Sequence, residues 1–342
     1  MFTFLLYLYK KMNTYMERKH FFTIEVVRAI TIILVVIGHY SPDNAPLWYN
    51  SLLKFIYSFH MPVFLFISGF IYIATKKEES YLSFLFKKVK RLLIPYFSTS
   101  VIIISIKLFS QGNAYLENPV TINSYFEIFY LPVAGYFLWF IIALWWMFVI
   151  TPLFKTRKLR LCLFLISAII AYLPFEPTHI LCANEFKRMF IYFMLGVTLY
   201  DYKEYFNTII NRFSHSFIPL IFFIVLEYIY LLKGCNMMEC LLPFVGIIVT
   251  MQLANSLTNI NSTKIKNMLF QVASSSYIIY LFHTTFEGFA KSIVIKCGLI
   301  SNDLSFVVCA FFIISLGIIG PICLNQIFKK VQYTRFLFGL KP

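Results

Sequence analysis

The chain of 342 residues is far more apolar than a water-soluble protein of its size. Hydrophobic residues make up 60% of it, aromatic residues 20% and charged residues only 13%, with a mean hydropathy of +0.76. Soluble domains are about half apolar and about a quarter charged. The composition therefore excludes a soluble globular enzyme, a disordered chain and a disulfide-rich secreted domain. Long apolar runs without alternation predict helices in a lipid bilayer.

Ten apolar stretches follow one another along the chain and predict membrane helices. Their approximate limits are 21–40, 53–75, 92–110, 135–154, 159–173, 186–200, 216–232, 239–254, 272–293 and 304–328. A hydrocarbon core of about 30 Å needs about twenty apolar residues, so the fifth and sixth stretches are short for a span. We predict an all-α, polytopic bundle of about ten transmembrane helices.

No repeat and no Gly/Ser-rich or Pro-rich linker divides the chain. We therefore predict one membrane domain at 21–328, preceded by a cytosolic N-terminal segment at 1–20 and followed by a basic cytosolic tail at 329–342.

The net charge of +15 is explained by where the basic residues fall along the chain. With the N-terminus inside, the predicted inner segments hold 22 of the 30 Lys and Arg residues, and the outer segments and outer helix ends hold four. Because inner loops are enriched in Lys and Arg, both termini are predicted to be cytosolic. Contact with membrane lipid is expected, and no nucleic-acid partner is needed to explain the charge. The seven cysteines form no C-x-x-C pair, and we expect no metal site.

The first helix carries charged residues that are costly inside a membrane. Glu25 and Arg28 are three residues apart, so they share a helix face and can form an ion pair. Such a pair is a candidate functional site, and the alternative is an Arg that anchors the helix end at the interface. His39 follows eleven residues later, about 16 Å along the helix and close to three turns on. Arg28 and His39 are therefore predicted to face the same side.

Two more histidines lie in predicted membrane helices. His60 stands two residues before Pro62, which removes a backbone hydrogen bond from the second helix. His283 shares a face of the ninth helix with Glu287, four residues on. The three histidines could converge on one cavity, although a membrane histidine can also be a packing residue.

The predicted inner loop Lys87-Lys88-Val89-Lys90-Arg91 holds four charges in five residues. One interpretation is an orientation signal or a contact with anionic lipid. The other is a binding site for the phosphates of a cytosolic donor molecule.

These motifs resemble the acyltransferase-3 family of integral membrane acyltransferases, and within it the fucose 4-O-acetylase-like branch. The first part of the resemblance is the R-x10-H pattern of Arg28 and His39 with a preceding acid. The other matching blocks, in family order, are Ser58-Phe59-His60-Met61-Pro62, Ser68-Gly69-Phe70, Lys90-Arg91-Leu92-Leu93-Ile94-Pro95-Tyr96, Leu138-Trp139-Phe140, Phe193-Met194-Leu195-Gly196 and Tyr277 through His283. The chain departs from the family in having Glu25 where Asp is common, and Lys88-x-x-Arg91 in place of R-x-x-R.

The resemblance implies an O-acyltransferase in the plasma (inner) membrane of a bacterium. It implies transfer of an acetyl or other short acyl group from cytosolic acyl-CoA to a sugar hydroxyl of a surface polysaccharide or its lipid-linked precursor. Acetyl-CoA would be a co-substrate, with no permanently bound cofactor. His39 would act as base or as nucleophile.

The same resemblance suggests roles for the other site residues. Glu25 would orient or charge-balance Arg28, and Arg28 would hold the donor. Lys88 and Arg91 would bind the CoA phosphates. The substrate path would be lined by His60, Trp139, His283 and Glu287.

Two other functions fit part of the pattern. A transporter or flippase for a polysaccharide intermediate could also place charges in membrane helices, although broken helices in matching halves are not evident. The other class of membrane O-acyltransferase carries one histidine late in the chain, a position that His283 could occupy.

Overall fold

The computed structural model describes residues 15–42, 45–112, 119–174, 178–205, 216–233 and 236–340. Residues 1–14, most of the predicted N-terminal segment, lie outside the described residues, as do the last two residues of the predicted tail. Throughout the described ranges the chain forms helices, turns and coil, and no β-strand. The all-α prediction is confirmed.

Thirteen α-helices occur in these described ranges, together with shorter 3₁₀ turns and one π-helical turn. They are α1 Tyr15–His39, α2 Leu47–Ala74, α3 Tyr81–Lys88, α4 Ile94–Ser110, α5 Ser124–Glu127, α6 Trp139–Ile150, α7 Arg157–Tyr172, α8 Ala183–Asp201, α9 Ile218–Lys233, α10 Asn236–Thr258, α11 Thr263–Lys296, α12 Asp303–Phe328 and α13 Gln332–Leu337. The π turn Val89–Leu93 joins α3 to α4.

Seven helical segments of the described chain are long and apolar enough to cross a membrane. They are Phe22–His39, Leu47–Ala74, Tyr81–Ser110, Tyr136–Leu153, Cys240–Thr258, Thr263–Lys296 and Asp303–Phe328. Another apolar helix, Ile218–Leu232, is shorter. The protein is therefore a multi-pass membrane protein by length and composition. The count of ten spans and the cytosolic side of both termini stay predictions.

The chain divides into two compact units. The first comprises Met1–Ser68 and Tyr202–Cys323, and the second comprises Gly69–Asp201 and Leu324–Pro342. The division interrupts α2 and α12, so each of these helices contributes residues to both units.

In the first unit, α1 packs against α11 and α10, and α9 packs against α10. Arg28 is hydrogen-bonded to Ser276, and further along both helices the His39 ring lies beside the His283 ring. Later residues of α1 therefore contact later residues of α11. These two helices therefore run parallel, as the first and ninth spans of the predicted topology should. An apolar core at the ends of α1 and α2 is built around Tyr40, Tyr49, Leu53, Phe306 and Ile313.

In the second unit, α8 packs against α7 and α6. Gly69 is required there, because a Cβ at this position would overlap the backbone carbonyl of Phe193 on α8. Two of the motif blocks named above therefore meet at a close backbone contact. Arg160 on α7 also binds both carboxylate oxygens of Asp201 on α8, at 2.6 and 2.8 Å, and this buried pair ties the two helices together.

Candidate functional site

The predicted ion pair of the first helix is present and is completed by a third residue. Arg28 Nη1 lies 2.9 and 3.0 Å from the two carboxylate oxygens of Glu25, and Nη2 donates to Ser276 Oγ at 2.8 Å. Glu25 and Arg28 are each only 5% exposed. Burial of a charge is tolerated when it is paired and hydrogen-bonded. The pairing explains why a helix can hold both charges inside the membrane, and Ser276 anchors the pair to α11.

The histidines of the first and ninth predicted spans meet. The ring centroids of His39 and His283 lie 4.9 Å apart, with the ring planes tilted by 55°. His283 is fully buried, whereas His39 is half-buried at the end of α1. Both Arg28 and His39 contact α11, which confirms that they face the same side of α1.

The backbone at His39 is held by two tyrosines of α2. The last turn of a helix leaves carbonyl groups without helical donors. Tyr57 donates its hydroxyl to Gly38 O at 2.8 Å, and Tyr49 donates to Tyr40 O at 2.9 Å. The hydroxyls bond carbonyls on both sides of His39 and so fix the position of its backbone.

His60 and His283 share an arrangement that sets their tautomers. His60 Nδ1 lies 2.7 Å from Ile56 O, and His283 Nδ1 lies 3.0 and 2.9 Å from Ile279 O and Tyr280 O. A carbonyl oxygen only accepts, so Nδ1 carries the proton in both rings. In the neutral imidazoles Nε2 is then the basic atom, the one able to take a proton.

His60 lies close to this pair but turns its Nδ1 into its own helix. Its ring packs edge-on against the ring of Tyr57 at 5.2 Å, and Tyr57 in turn reaches the carbonyl next to His39. The structure therefore brings His39 and His283 into direct contact, whereas His60 contacts Tyr57.

Glu287 lies one turn after His283 on α11 and is 5% exposed. A Cβ on Gly317 of α12 would come within 2.9 Å of the Glu287 side chain and within 2.9 Å of Val36 on α1. The glycine therefore makes room for the carboxyl between three helices. The sequence shows Gly317 only as one more glycine in an apolar helix.

Three of the predicted site residues belong to the second unit. Lys88 Nζ lies 3.5 Å from the ring centroid of Phe148 and 5.2 Å from that of Phe84, within the range of cation–π attraction. Arg91 is exposed on the π turn. Because this turn is wound more widely than an α-helix, Lys88 and Arg91 do not have the regular i, i+3 spacing of an α-helix. Trp139 is half-buried at the first position of α6.

The C-terminal turn packs against one side of the π turn. Gly339 has a positive φ of 62°, and a Cβ there would come within 3.1 Å of the Arg91 carbonyl oxygen and of the Pro95 ring. Phe338 stacks on Phe328 with ring centroids 4.2 Å apart. The C-terminal turn thus packs on the segment that follows the basic loop.

Sequence reasoning missed Glu227. This acid is 3% exposed in the middle of α9, and its carboxyl is hydrogen-bonded to the hydroxyl of Ser58. It stands alone among the apolar residues of 216–232, and that isolation was the signal that could have revealed it. Glu185, also missed, accepts a bond of 2.5 Å from the Tyr136 hydroxyl in the second unit.

Within the described ranges, no group of three or more His, Cys, Asp or Glu residues is arranged to hold a metal ion.

Two curated relatives match parts of the chain. The nodulation protein NolL of Mesorhizobium japonicum is 25% identical over 203 residues, which are 58% of this chain and 52% of that protein. The nodulation protein NolL of Sinorhizobium fredii is 36% identical over 93 residues, 25% of each chain. The matches thus span about half and a quarter of these relatives. No solved structure matches significantly.

The family comparison covers nearly the whole chain. Residues 21–336 match the sequence profile described as an acyltransferase domain. The matched range contains every predicted site residue, from Glu25 to Glu287. The chain therefore belongs to the acyltransferase-3 family of membrane acyltransferases.

Proposed function

We propose that this protein transfers an acetyl or other short acyl group from cytosolic acyl-CoA to a hydroxyl of a surface polysaccharide or its lipid-linked precursor, in the plasma membrane of a bacterium. The observation that carries the proposal is the contact between His39 and His283, on the two helices that also share the Glu25–Arg28–Ser276 cluster. The family match gives the reaction class. The resemblance to the fucose 4-O-acetylase-like branch suggests a sugar acceptor.

In the proposed reaction, His39 removes the proton from the acceptor hydroxyl. The sugar oxygen forms a bond with the acyl carbon, and the bond from that carbon to the CoA sulfur breaks. The proton passes from His39 to the departing sulfur, so that free CoA leaves as a thiol. A thioester is already activated, so the protein has to supply the base and to stabilise the tetrahedral oxyanion.

The residues around His39 fit supporting roles. Arg28 is a buried cation whose position is set by Glu25 and Ser276, and we assign it to holding the donor. The Nε2 atom of His283 is the basic atom of a ring that touches the His39 ring, so this residue supports proton movement. Lys88 and Arg91 are assigned to the phosphates of CoA, and Arg91 is the more exposed of the two.

The test measures release of free CoA from radiolabelled acetyl-CoA by the full chain in lipid nanodiscs, with crude lipid-linked glycans as acceptor. We expect turnover with label in the glycan fraction, and loss of both in His39→Ala. Label that accumulates on the wild-type protein would replace direct transfer by an acyl-histidine intermediate. Glycan movement across the bilayer without CoA release would instead support a transporter.

A further inference from the structure

Glu227 is a buried carboxyl in a helix that is otherwise apolar along most of its length. Its helix α9 reads IPLIFFIVLEYIYLLK, and Glu227 is 3% exposed. Polar and ionisable groups inside a membrane are costly and commonly mark a functional pathway. None of the residues assigned above to the reaction uses this carboxyl.

Ser58 of α2 holds one of the two Glu227 oxygens. Its hydroxyl is hydrogen-bonded to Glu227 Oε1 and lies 2.8 Å from Phe55 O. A serine hydroxyl has one proton, and the Phe55 carbonyl can only accept. Both bonds are therefore made when the hydroxyl donates to Phe55 O and a protonated Glu227 carboxyl donates to Ser58 Oγ.

The second oxygen of Glu227 is unsatisfied. In the part of the chain that the structure describes, Oε2 is buried and has no hydrogen-bond partner. A buried acceptor without a donor is destabilising, because it has lost its hydrogen bonds to water. If Oε1 carries the proton, then Oε2 is the carbonyl-like oxygen and can accept a hydrogen bond from a ligand.

Ser58 also carries a backbone carbonyl that lacks its regular helical donor. In a regular α-helix the Ser58 carbonyl would accept a hydrogen bond from the residue at position 62. That residue is Pro62, which has no N–H and lies inside α2. The Ser58 hydroxyl therefore bonds Glu227, and the Ser58 carbonyl lacks its regular helical donor. These two polar groups make this turn of α2 polar.

Ser58 is adjacent in the sequence to a residue of α2 that contacts the end of α1. Ser58 directly follows Tyr57, whose hydroxyl bonds the carbonyl of Gly38, the residue before His39. The rise along a helix is about 1.5 Å per residue, so Ser58 follows this contact between α2 and the end of α1 by a single residue step. One turn before Glu227 on α9, the Phe223 ring packs against the rings of Phe55 and Phe59 on α2, with ring centroids 5.3 to 5.5 Å apart.

We propose that Glu227 Oε2 accepts a hydrogen bond from a hydroxyl of the acceptor sugar, with Ser58 fixing the orientation of the carboxyl. This inference rests on the proposed acyl transfer and names an acceptor-binding residue for it. A sugar carries several hydroxyl donors. One of them bound at Glu227 would hold the sugar ring while His39 removes a proton from another.

The experiment uses the full chain in nanodiscs with labelled acetyl-CoA and a titration of lipid-linked glycan extract. Glu227→Leu keeps α9 apolar but removes the acceptor oxygen, and we expect the KM for the glycan to rise about tenfold, the size of one buried hydrogen bond. Glu227→Gln reproduces the donor and acceptor pattern of the protonated carboxyl, and it should stay within about twofold of wild type. The KM for acetyl-CoA should not change in either variant.

Ser58→Ala provides a second, milder test, because it removes only the orienting hydroxyl. We expect a smaller rise in the glycan KM. The matched control is Ser51→Ala on the same helix, whose hydroxyl bonds its own helix carbonyl at 3.1 Å and is exposed. Tyr228→Phe, next to Glu227 and exposed, controls for changes on α9.

Each result has a distinct meaning. A tenfold rise in both Glu227→Leu and Glu227→Gln supports Glu227 as the acceptor-binding residue and overturns the assignment of a proton to its carboxyl. A glycan KM within twofold of wild type in Glu227→Leu, with transfer intact, overturns the inference and leaves the proposed function standing. A change confined to the acetyl-CoA KM also overturns it. Absence of any acyl transfer by wild type would instead overturn the proposed function.

Discussion

The imidazole rings of His39 and His283 lie 4.9 Å apart, although 244 positions separate them in the chain. Their contact joins the end of α1 to the middle of α11. His39 is half-buried and His283 is fully buried, so the two residues differ in their exposure. This inequality predicts unequal contributions to catalysis.

Loss of His39 should be more damaging than loss of His283. A general base contributes about 10²- to 10⁴-fold to the rate, so we expect His39→Ala to reduce kcat by that range. We expect His283→Ala to reduce kcat about tenfold, because it supports the base without touching the acceptor. The measurement is CoA release at saturating donor and glycan. His179→Ala, an exposed histidine of the second unit, is the control. Activity that survives loss of His39 and disappears with loss of His283 would instead indicate the mechanism of the other class of membrane O-acyltransferase, which carries one histidine late in the chain.

Breaking the Glu25–Arg28 pair should destabilise the protein as well as inactivate it. In Glu25→Ala the buried Arg28 guanidinium keeps its hydrogen bond to Ser276 but loses its carboxylate partner. Removal of one partner of a buried ion pair costs about 3–5 kcal/mol. We expect a clear fall in the Tm of the protein in nanodiscs, together with loss of CoA release.

Glu79→Ala is the matched control for this pair. Glu79 is bonded to Lys87 at the exposed start of the basic loop, and the pKa of its carboxyl is held below the usual value mainly by that hydrogen bond. An exposed pair contributes about 0–1 kcal/mol, so the Tm should hardly move. Equal Tm changes in Glu25→Ala and Glu79→Ala would contradict the role of burial.

Adding one methyl group at Gly317 should displace Glu287. The new Cβ would come within 2.9 Å of both the Glu287 side chain and Val36, which is tighter than packed side chains allow. Overpacking of this kind costs about 1–3 kcal/mol. We expect Gly317→Ala to lower both kcat and Tm. Gly288→Ala is the control on α11, because a Cβ there meets no atom within 4 Å. Unchanged kcat in Gly317→Ala would show that the position of Glu287 does not affect the reaction.

The basic loop should affect the donor and not the acceptor. We expect Lys88→Ala combined with Arg91→Ala to raise the KM for acetyl-CoA about tenfold or more, the loss expected for charge-assisted contacts to phosphate. Arg91→Ala alone should have the larger single effect, because Arg91 is exposed whereas Lys88 lies over the Phe148 ring. Lys90→Ala, in the same turn, is the control. An unchanged acetyl-CoA KM in the double variant would leave the loop as an orientation signal only.

The features that depend on composition and on neighbouring residues could be read from the sequence alone. An excess of apolar residues requires helices in lipid, because unpaired backbone groups cannot be exposed there. Glu25 and Arg28 pair because three residues bring side chains together on any α-helix. The spacing of eleven residues likewise places Arg28 and His39 on one side of α1, whatever the rest of the chain does.

Tertiary structure decided which distant groups meet. The contacts of His39 with His283, of Arg28 with Ser276 and of Glu227 with Ser58 depend on which helices lie side by side. Hydropathy cannot specify those neighbours, because every span presents a similarly apolar surface and helices in lipid associate through close packing and interhelical hydrogen bonds. Gly317 illustrates the same limit, since its importance comes from the carboxyl that packs against it from another helix.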